Sequence, residues 1–296
     1  MELKTLWYFL AIAERENITQ AAHDLHITQP HLTRQLQALE TELGVPLFIR
    51  DKKRLTITEE GRYFKQQVRQ LFALLQKTKD QVRTLHAGLM GKLYIGAIET
   101  LSPLYVPSWI RHFQQAYPKV TYQIWTANSQ DVLERLDDGL LDVALIRGTF
   151  QDDNRYGVLP LLKEGWICLF PDQGPIPSCC PDQTLPLSAL ENQDLIVPSQ
   201  RSQQIRALFQ KARRNAHILC EFSPLINGIV LAEQGLGVAI LPASAEASLG
   251  GHRVCVRHLA IDEPSQGCLV WRNDIRQTQI ARKFIEMIQT IQAAKE

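Results

Sequence analysis

The chain has 296 residues, 45% of them hydrophobic and 21% charged, with a formal net charge of +1. Domains usually run to roughly 100–200 residues, so two or three are expected, and the composition is that of a globular protein, not of a disordered or fibrous one. A near-neutral balance excludes a uniformly basic protein, so any contact with nucleic acid has to come from a local patch.

The first helix is expected over Leu3 to Arg15, where Leu6, Phe9, Leu10 and Ala13 fall at helical spacing. Its Ala11-Ile12-Ala13 stretch looks like a signal-peptide cleavage site, but the apolar run is short, only Glu2 and Lys4 precede it, and no later segment approaches a membrane span. A cytoplasmic protein without membrane contact is expected. Thr19 is read as the cap of a short second helix carrying Ala21, Ala22 and Leu25. After a tight turn at Ile27, Thr28 caps a third helix whose first turn holds Pro30, where a missing backbone donor costs nothing.

The third helix aligns Leu32, Leu36, Leu39 and Leu43 on one face and stops at Gly44, leaving Pro30, Thr33, Arg34 and Gln37 on the other. Strands at Leu47 to Arg50 and Leu55 to Thr58 flank a basic turn, the pattern of a β-hairpin wing. A small residue in one helix, a buried turn residue and an exposed polar start to the next are what a helix-turn-helix requires. Gln29, Pro30, Thr33 and Arg34 are then the expected readers of base edges. Thr19, Thr28, His31 and Gln37 complete the set expected to contact DNA, with Arg50, Lys52, Lys53 and Arg54 on the wing to neutralise phosphates or enter the minor groove.

From Phe64 onward, Phe64, Val68, Leu71, Leu75, Val82, Leu85 and Leu89 alternate spacings of three and four, with Thr78 filling one gap. That is a coiled-coil seam, and a dimer helix is favoured over one packed wholly on its own domain. Gly88, Gly91 and Lys92 form a hinge. Beyond it, strands at Leu93–Ala97, Thr121–Trp125 and Val143–Ile146 alternate with helices at Leu104–Tyr117 and Gln130–Asp138, which predicts a parallel sheet. A second series has strands near Ile167–Phe170, Leu195–Val197, Ile218–Glu221 and Val238–Leu241 with helices at Gln203–Ala212 and Leu225–Glu233. A final helix, Gln279–Ala293, is expected to return and cover the first lobe.

In this half the βα turns offer serines as helix caps: Ser102, Ser129, Ser202 and Ser223. A cleft lined by several helix N-termini suits an anion, and ligands in open α/β sheets sit at the C-terminal ends of the strands. Arg147 directly follows the strand Val143–Ile146 and can grip a carboxylate; its competing reading is a surface arginine paired with Asp142 or Asp152. Nothing points to catalysis: the eight histidines show no zinc spacing, and there is no G-x-S-x-G elbow or Gly-rich phosphate loop. The six cysteines lack any C-x-x-C pair, so neither a metal nor a cofactor is expected.

Ala21-Ala22 with Leu25, Thr28-Gln29-Pro30, Leu39-Glu40 with Leu43-Gly44, Leu47-Phe48 with Arg50, and Leu55-Thr56 through Gly61 resemble the DNA-binding domain of LysR-type transcriptional regulators. Asp142-Val143-Ala144 and Gly235-Leu236-Gly237-Val238 through Leu241-Pro242 resemble that family's effector-binding domain, so nearly the whole chain is covered. His31 and Leu32 depart from the small or aliphatic residues more often found there. The resemblance implies an α/β fold with an N-terminal winged helix-turn-helix at 1–58, a linker helix at 59–90 and a two-lobed effector domain like a periplasmic binding protein at 91–296. Its lobes would span about 91–161 with 267–296, and about 162–266.

The resemblance also implies a homodimer joined by the linker helix and paired into a tetramer, bound to double-stranded operator DNA, with RNA polymerase as a further partner if it activates. By the same resemblance Thr100, Ser102, Asn128, Ser129, Ser199, Gln200, Ser202 and Asn227 fall where effectors are held. Two other function classes compete: a redox-sensing regulator using Cys179, Cys180 or Cys220, and an enzyme on a binding-protein fold, which would leave the first ninety or so residues without a purpose.

Overall fold

The computed structural model describes residues 1–51, 54–84, 89–148, 150, 154–173, 184–261 and 265–294. The chain divides into two compact units, Met1–Val82 and Arg83–Glu296.

The first unit opens with α1 (Leu3–Arg15), α2 (Ile18–Asp24) and α3 (Gln29–Leu43). Leu6, Phe9 and Ile12 of α1 meet Leu32, Leu36 and Leu39 of α3 in one core, and Ala21 and Ala22 of α2 are buried there, small enough to let helix backbones approach. The cap of α2 is Asn17 and not Thr19. Asn17 is the extended residue at the entry, and its side-chain oxygen accepts from the Gln20 amide at 3.1 Å, which leaves Thr19 exposed inside the first turn. Thr28 stands at the N-cap of α3 with extended backbone, but its hydroxyl makes no capping bond. The helix ends at Gly44, whose φ of 73° lies in the left-handed region that glycine adopts without strain.

Glu40 then ties α3 to the wing, its Oε1 accepting from the amides of Leu47 (2.8 Å) and Phe48 (3.1 Å). The wing is β1 (Phe48–Asp51) and β2 (Arg54–Ile57), antiparallel, with Phe48 opposite Ile57 and Asp51 opposite Arg54. The first strand lies one residue later than predicted and the second one residue earlier, the second because Thr58 leaves the ladder to cap α4 (Glu59–Thr84). Its hydroxyl donates to the Pro46 carbonyl at 2.9 Å and accepts from the Gly61 amide at 2.9 Å. A Cβ at Gly61 would lie 2.2 Å from the Leu47 carbonyl oxygen, so glycine is what lets α4 begin against the wing.

The predicted seam divides along α4. Phe64 and Val68 are spent on the unit's own core, Phe72 packs edge-on against Trp7 at 5.8 Å between ring centroids, and Lys65 donates to the Ala13 carbonyl at 2.6 Å. On either side of Phe72, Leu71 of the predicted seam and Leu74 beside it are 41% and 44% exposed, and Leu75 is half-buried. The side chains of Val82 and Leu85 lie outside the described residues, and Leu89 packs against the core of the second unit.

The second unit contains β3 (Gly91–Ala97), α5 (Ser102–Ala116), β4 (Val120–Thr126), α6 (Ser129–Asp137), β5 (Val143–Arg147), β6 (Tyr156–Glu164) and β7 (Trp166–Pro171). There follow β8 (Thr184–Leu185), β9 (Asp194–Pro198), α7 (Ser202–Lys211), β10 (His217–Phe222), α8 (Leu225–Glu233), β11 (Val238–Pro242), β12 (Val254–Leu259), β13 (Ser265–Arg272) and α9 (Gln279–Ala293). They build two sheets, β4-β3-β5-β13-β6 and β10-β9-β11-β7-β12-β8. The chain passes from the first to the second at Gly165 and returns between Leu259 and Ser265.

Both sheets are mixed, where a parallel arrangement was expected. The βα repeats do pair in parallel, β3 with β4 and β5, and β9 with β10 and β11. The crossing strands run the other way: β13 is antiparallel to β5 and β6, and β7 to β11 and β12. The final helix packs on the first sheet, where Phe284 meets Trp109 and Phe113 of α5 at centroid distances of 6.3 and 5.2 Å. Among the described residues no helix is long and apolar enough to cross a membrane.

Candidate functional site

In the first unit, burying the leucine face of α3 turns its opposite face outward. Gln29, Pro30, Arg34 and Gln37 are exposed, as are Thr19 and Thr28, and the Gln29 side-chain amide donates to the Thr33 hydroxyl at 3.1 Å. Among the described residues Arg34 makes no ion pair. His31 is placed differently from its neighbours: it is half-buried and meets the Tyr8 ring edge-on at 6.0 Å, so packing claims part of its surface. On the wing, Arg50 and Arg54 flank the turn in the strand ladder. Lys52 and Lys53 lie outside the described residues.

In the second unit a cavity of about 340 Å³ lies between the sheets. Its walls come from the C-terminal ends of the parallel strands: Ile98 to Thr100 after β3, Asn128 and Ser129 after β4, Arg147 ending β5, Ser199 to Arg201 after β9, and Phe222 and Ser223 at the end of β10. The structure thus brings Thr100, Asn128, Ser129, Arg147, Ser199 and Gln200 together. It does not bring in Ser102, half-buried as the first residue of α5, or Ser202, buried at the start of α7, or Asn227, exposed on α8 with its amide donating to the Ser223 carbonyl at 3.3 Å.

None of the four serines caps its helix. The N-cap positions belong to Leu101, Asn128, Arg201 and Pro224, and only Asn128 caps by its side chain, accepting from the Asp131 amide at 2.9 Å. Each serine lies beside the cap, not on it, and its hydroxyl is free for other work. Ser129 Oγ accepts from the Arg147 amide at 3.2 Å, and Ser199 Oγ donates to the Phe222 carbonyl at 3.2 Å.

Arg147 meets neither of its sequence-level partners. Asp142 turns its carboxylate to the Tyr94 amide at 2.9 Å, and Asp152 lies outside the described residues. The guanidinium instead pairs with Glu164, the last residue of β6, with side-chain exposures of 6% and 3%. Nε donates to Glu164 Oε1 at 2.7 Å, Nη2 to the same oxygen and to Ser244 Oγ, and Nη1 to Thr100 Oγ1 at 2.7 Å. Glu164 in turn accepts from the Ser244 amide. Burial lowers the Arg147 pKa, and the Glu164 carboxylate opposes that shift. Four of five N–H donors are therefore committed within the protein.

Among the lining residues absent from the predicted effector set are Arg201 and Glu99. Arg201 lies over the Trp166 ring at 5.6 Å and donates from Nη1 to Gln204 Oε1 at 2.7 Å. Its pKa is lowered by burial first and by Arg147 second, and the Glu164 carboxylate opposes the shift. Glu99, half-buried on the first lobe, accepts across the cleft from the Leu225 amide at the start of α8, at 2.8 Å. Only the tertiary assembly of loops more than a hundred residues apart identifies either one.

Of the cysteines, Cys168 and Cys268 are buried and burial raises both thiols, the latter to about 11. Cys220 is half-buried and free. Cys179 and Cys180 lie outside the described residues.

Comparison with known proteins agrees along the whole chain. Residues 3–62 match the family described as bacterial regulatory helix-turn-helix protein, lysR family, and residues 86–292 match the LysR substrate binding domain. YwqM, an HTH-type transcriptional regulator of Bacillus subtilis (strain 168), is 30% identical over 97% of this chain and 98% of its own. The crystal structure of CbnR, a LysR family transcriptional regulator, superposes with a TM-score of 0.79 at 23% identity, covering 99% of both chains. Full-length CbnR in complex with its target DNA gives 0.77 at 24% identity, covering 98% of this chain and 99% of that one.

Proposed function

Because the chain belongs to the LysR-type family of transcriptional regulators, DNA-binding proteins with an effector-binding domain, we propose that it reads a two-fold symmetric operator with its first unit and answers to a small organic acid held in the cleft of its second. Residues 1–58 contact DNA, 59–90 join protomers and 91–296 sense the ligand. The observation that carries the DNA half is the outward face of α3, where Gln29, Pro30, Arg34 and Gln37 stand exposed opposite buried Leu32, Leu36 and Leu39. A recognition helix uses such N-terminal residues on base edges, and a wing carrying Arg50 and Arg54 has the residue types that neutralise phosphates.

The exposed Leu71 and Leu74 of α4 support pairing of protomers through this helix, which sets two recognition helices on one duplex. Two such dimers would give the homotetramer. The work of such a protein lies in the cytoplasm, beside the chromosome. The cleft supports an effector because polar groups from two sheets converge on one cavity at strand C-termini, and a ligand bridging the sheets shifts their relative angle.

The test is a gel-shift titration at fixed salt on DNA fragments enriched by the purified protein. Arg34→Ala is expected to weaken specific binding by roughly ten- to a hundredfold, the worth of one base-edge contact, with an unchanged sedimentation profile. Equal affinity would remove α3 from the reading. The thiol-sensing alternative rests on Cys179, Cys180 or Cys220, and loss of response in Cys→Ser variants with no small-molecule binding would favour it.

A further inference from the structure

We infer that Arg201, not Arg147, receives the acid group of the ligand, and that Glu99 restricts the site to molecules carrying a single acid group. The inference rests on the reading of the cleft as a ligand site and names its chemistry.

Donor counting separates the two arginines. Arg147 is neutralised by Glu164, and its donors are largely used on Glu164, Thr100 and Ser244. Recruiting it would mean pulling Glu164 from a buried pair, which leaves an uncompensated charge. Arg201 makes one side-chain hydrogen bond, from Nη1 to Gln204, and among the described residues no carboxylate contacts it as an ion pair, Glu164, already paired with Arg147, acting on it only through its field. Its guanidinium is partly withdrawn from water, lies over Trp166 and lines the cavity with its remaining donors uncommitted. A cation in that state is stabilised by a carboxylate that takes the unused N–H groups in a two-pronged contact. It also sits at the N-terminal end of the ten-residue helix α7, where the helix dipole adds to the attraction for an anion.

The other wall has the opposite sign. Glu99 lines the same cavity with one oxygen on the Leu225 amide, and Asp131 stands exposed at the rim. A second carboxylate on the ligand would face Glu99 in a partly desolvated space, where like charges repel most. The site therefore takes an organic acid whose far end is neutral or positively charged, of a size suited to about 340 Å³.

The experiment is isothermal titration of the full-length protein with matched pairs: benzoate against terephthalate, and hexanoate against adipate. The mono-acid of a pair is expected to bind and the diacid not. Arg201→Gln should weaken the mono-acid by roughly ten- to a hundredfold, and Arg201→Lys should fall between. Glu99→Gln, which keeps the oxygen that accepts from Leu225, should admit the diacid. Diacids binding the unmodified protein as well as mono-acids, mono-acid affinity unchanged in Arg201→Gln, or silence of every mono-acid would each overturn the inference. Ala127→Phe, which fills the cavity, tells the two failures apart. Binding that survives Arg201→Gln but is lost in Ala127→Phe keeps the cleft and removes Arg201; binding that survives both removes the cleft.

Discussion

Replacing Glu164 by alanine strips the buried Arg147 guanidinium of its counter-charge and the Ser244 amide of its acceptor in one step. With both side chains of the pair under 10% exposed, solvent screening gives little relief. Breaking such a pair from one side destabilises by about 3–5 kcal/mol. For a domain of this size 1 kcal/mol shifts the melting midpoint by roughly 2–4 °C, so Glu164→Ala should lower the second unit's transition by roughly 6–20 °C. The assay is urea and thermal unfolding of the full chain at fixed protein concentration, followed by far-UV circular dichroism. Only the transition of the second unit should move. The double variant Arg147→Met/Glu164→Leu, which removes both charges and keeps apolar volume, should recover most of the loss. A loss below about 1 kcal/mol in Glu164→Ala, or a double variant no better than the single, would refute the account of this pair.

Two further outcomes are expected. Asn17→Ala should destabilise the first unit by about 1 kcal/mol through loss of the α2 cap, while Thr19→Ala should leave its melting temperature unchanged; a larger effect at Thr19 would contradict the assignment. Leu71→Glu with Leu74→Glu should abolish dimer formation in sedimentation equilibrium while the circular dichroism spectrum stays intact, and a persisting dimer would place the interface elsewhere.

The first unit was legible in the sequence because its rules are local. Leucines at helical spacing, a proline in a first turn and a glycine at an exit each act within a few residues, and the structure differs there only in details such as Asn17 replacing Thr19 as cap. The coiled-coil pattern was harder to divide. Phe64 and Val68 share its period with Leu71, yet tertiary packing claims the first two and leaves the third exposed. In the second unit the βα alternation showed the parallel strands, whereas β6, β12 and β13 have no alternating helix to announce them. Glu164 stands at the end of one such strand, so the partner of Arg147 stayed hidden. Arg201 and Glu99 look like ordinary surface charges until the fold sets them around one cavity. The serine caps failed for a stereochemical reason: one shift in helix start moves a hydroxyl from the capping position to the first turn, and periodicity does not resolve a single residue.

The placement of Glu164 also decides how the second unit can move. It is the last residue before the chain crosses at Gly165, and it is fastened on one side to Arg147 of the first sheet and on the other to Ser244, which follows β11 of the second. A joint riveted at that point lets the two sheets swing but resists their sliding past each other. A change in the angle between the sheets that keeps these bonds is therefore expected to turn about Glu164.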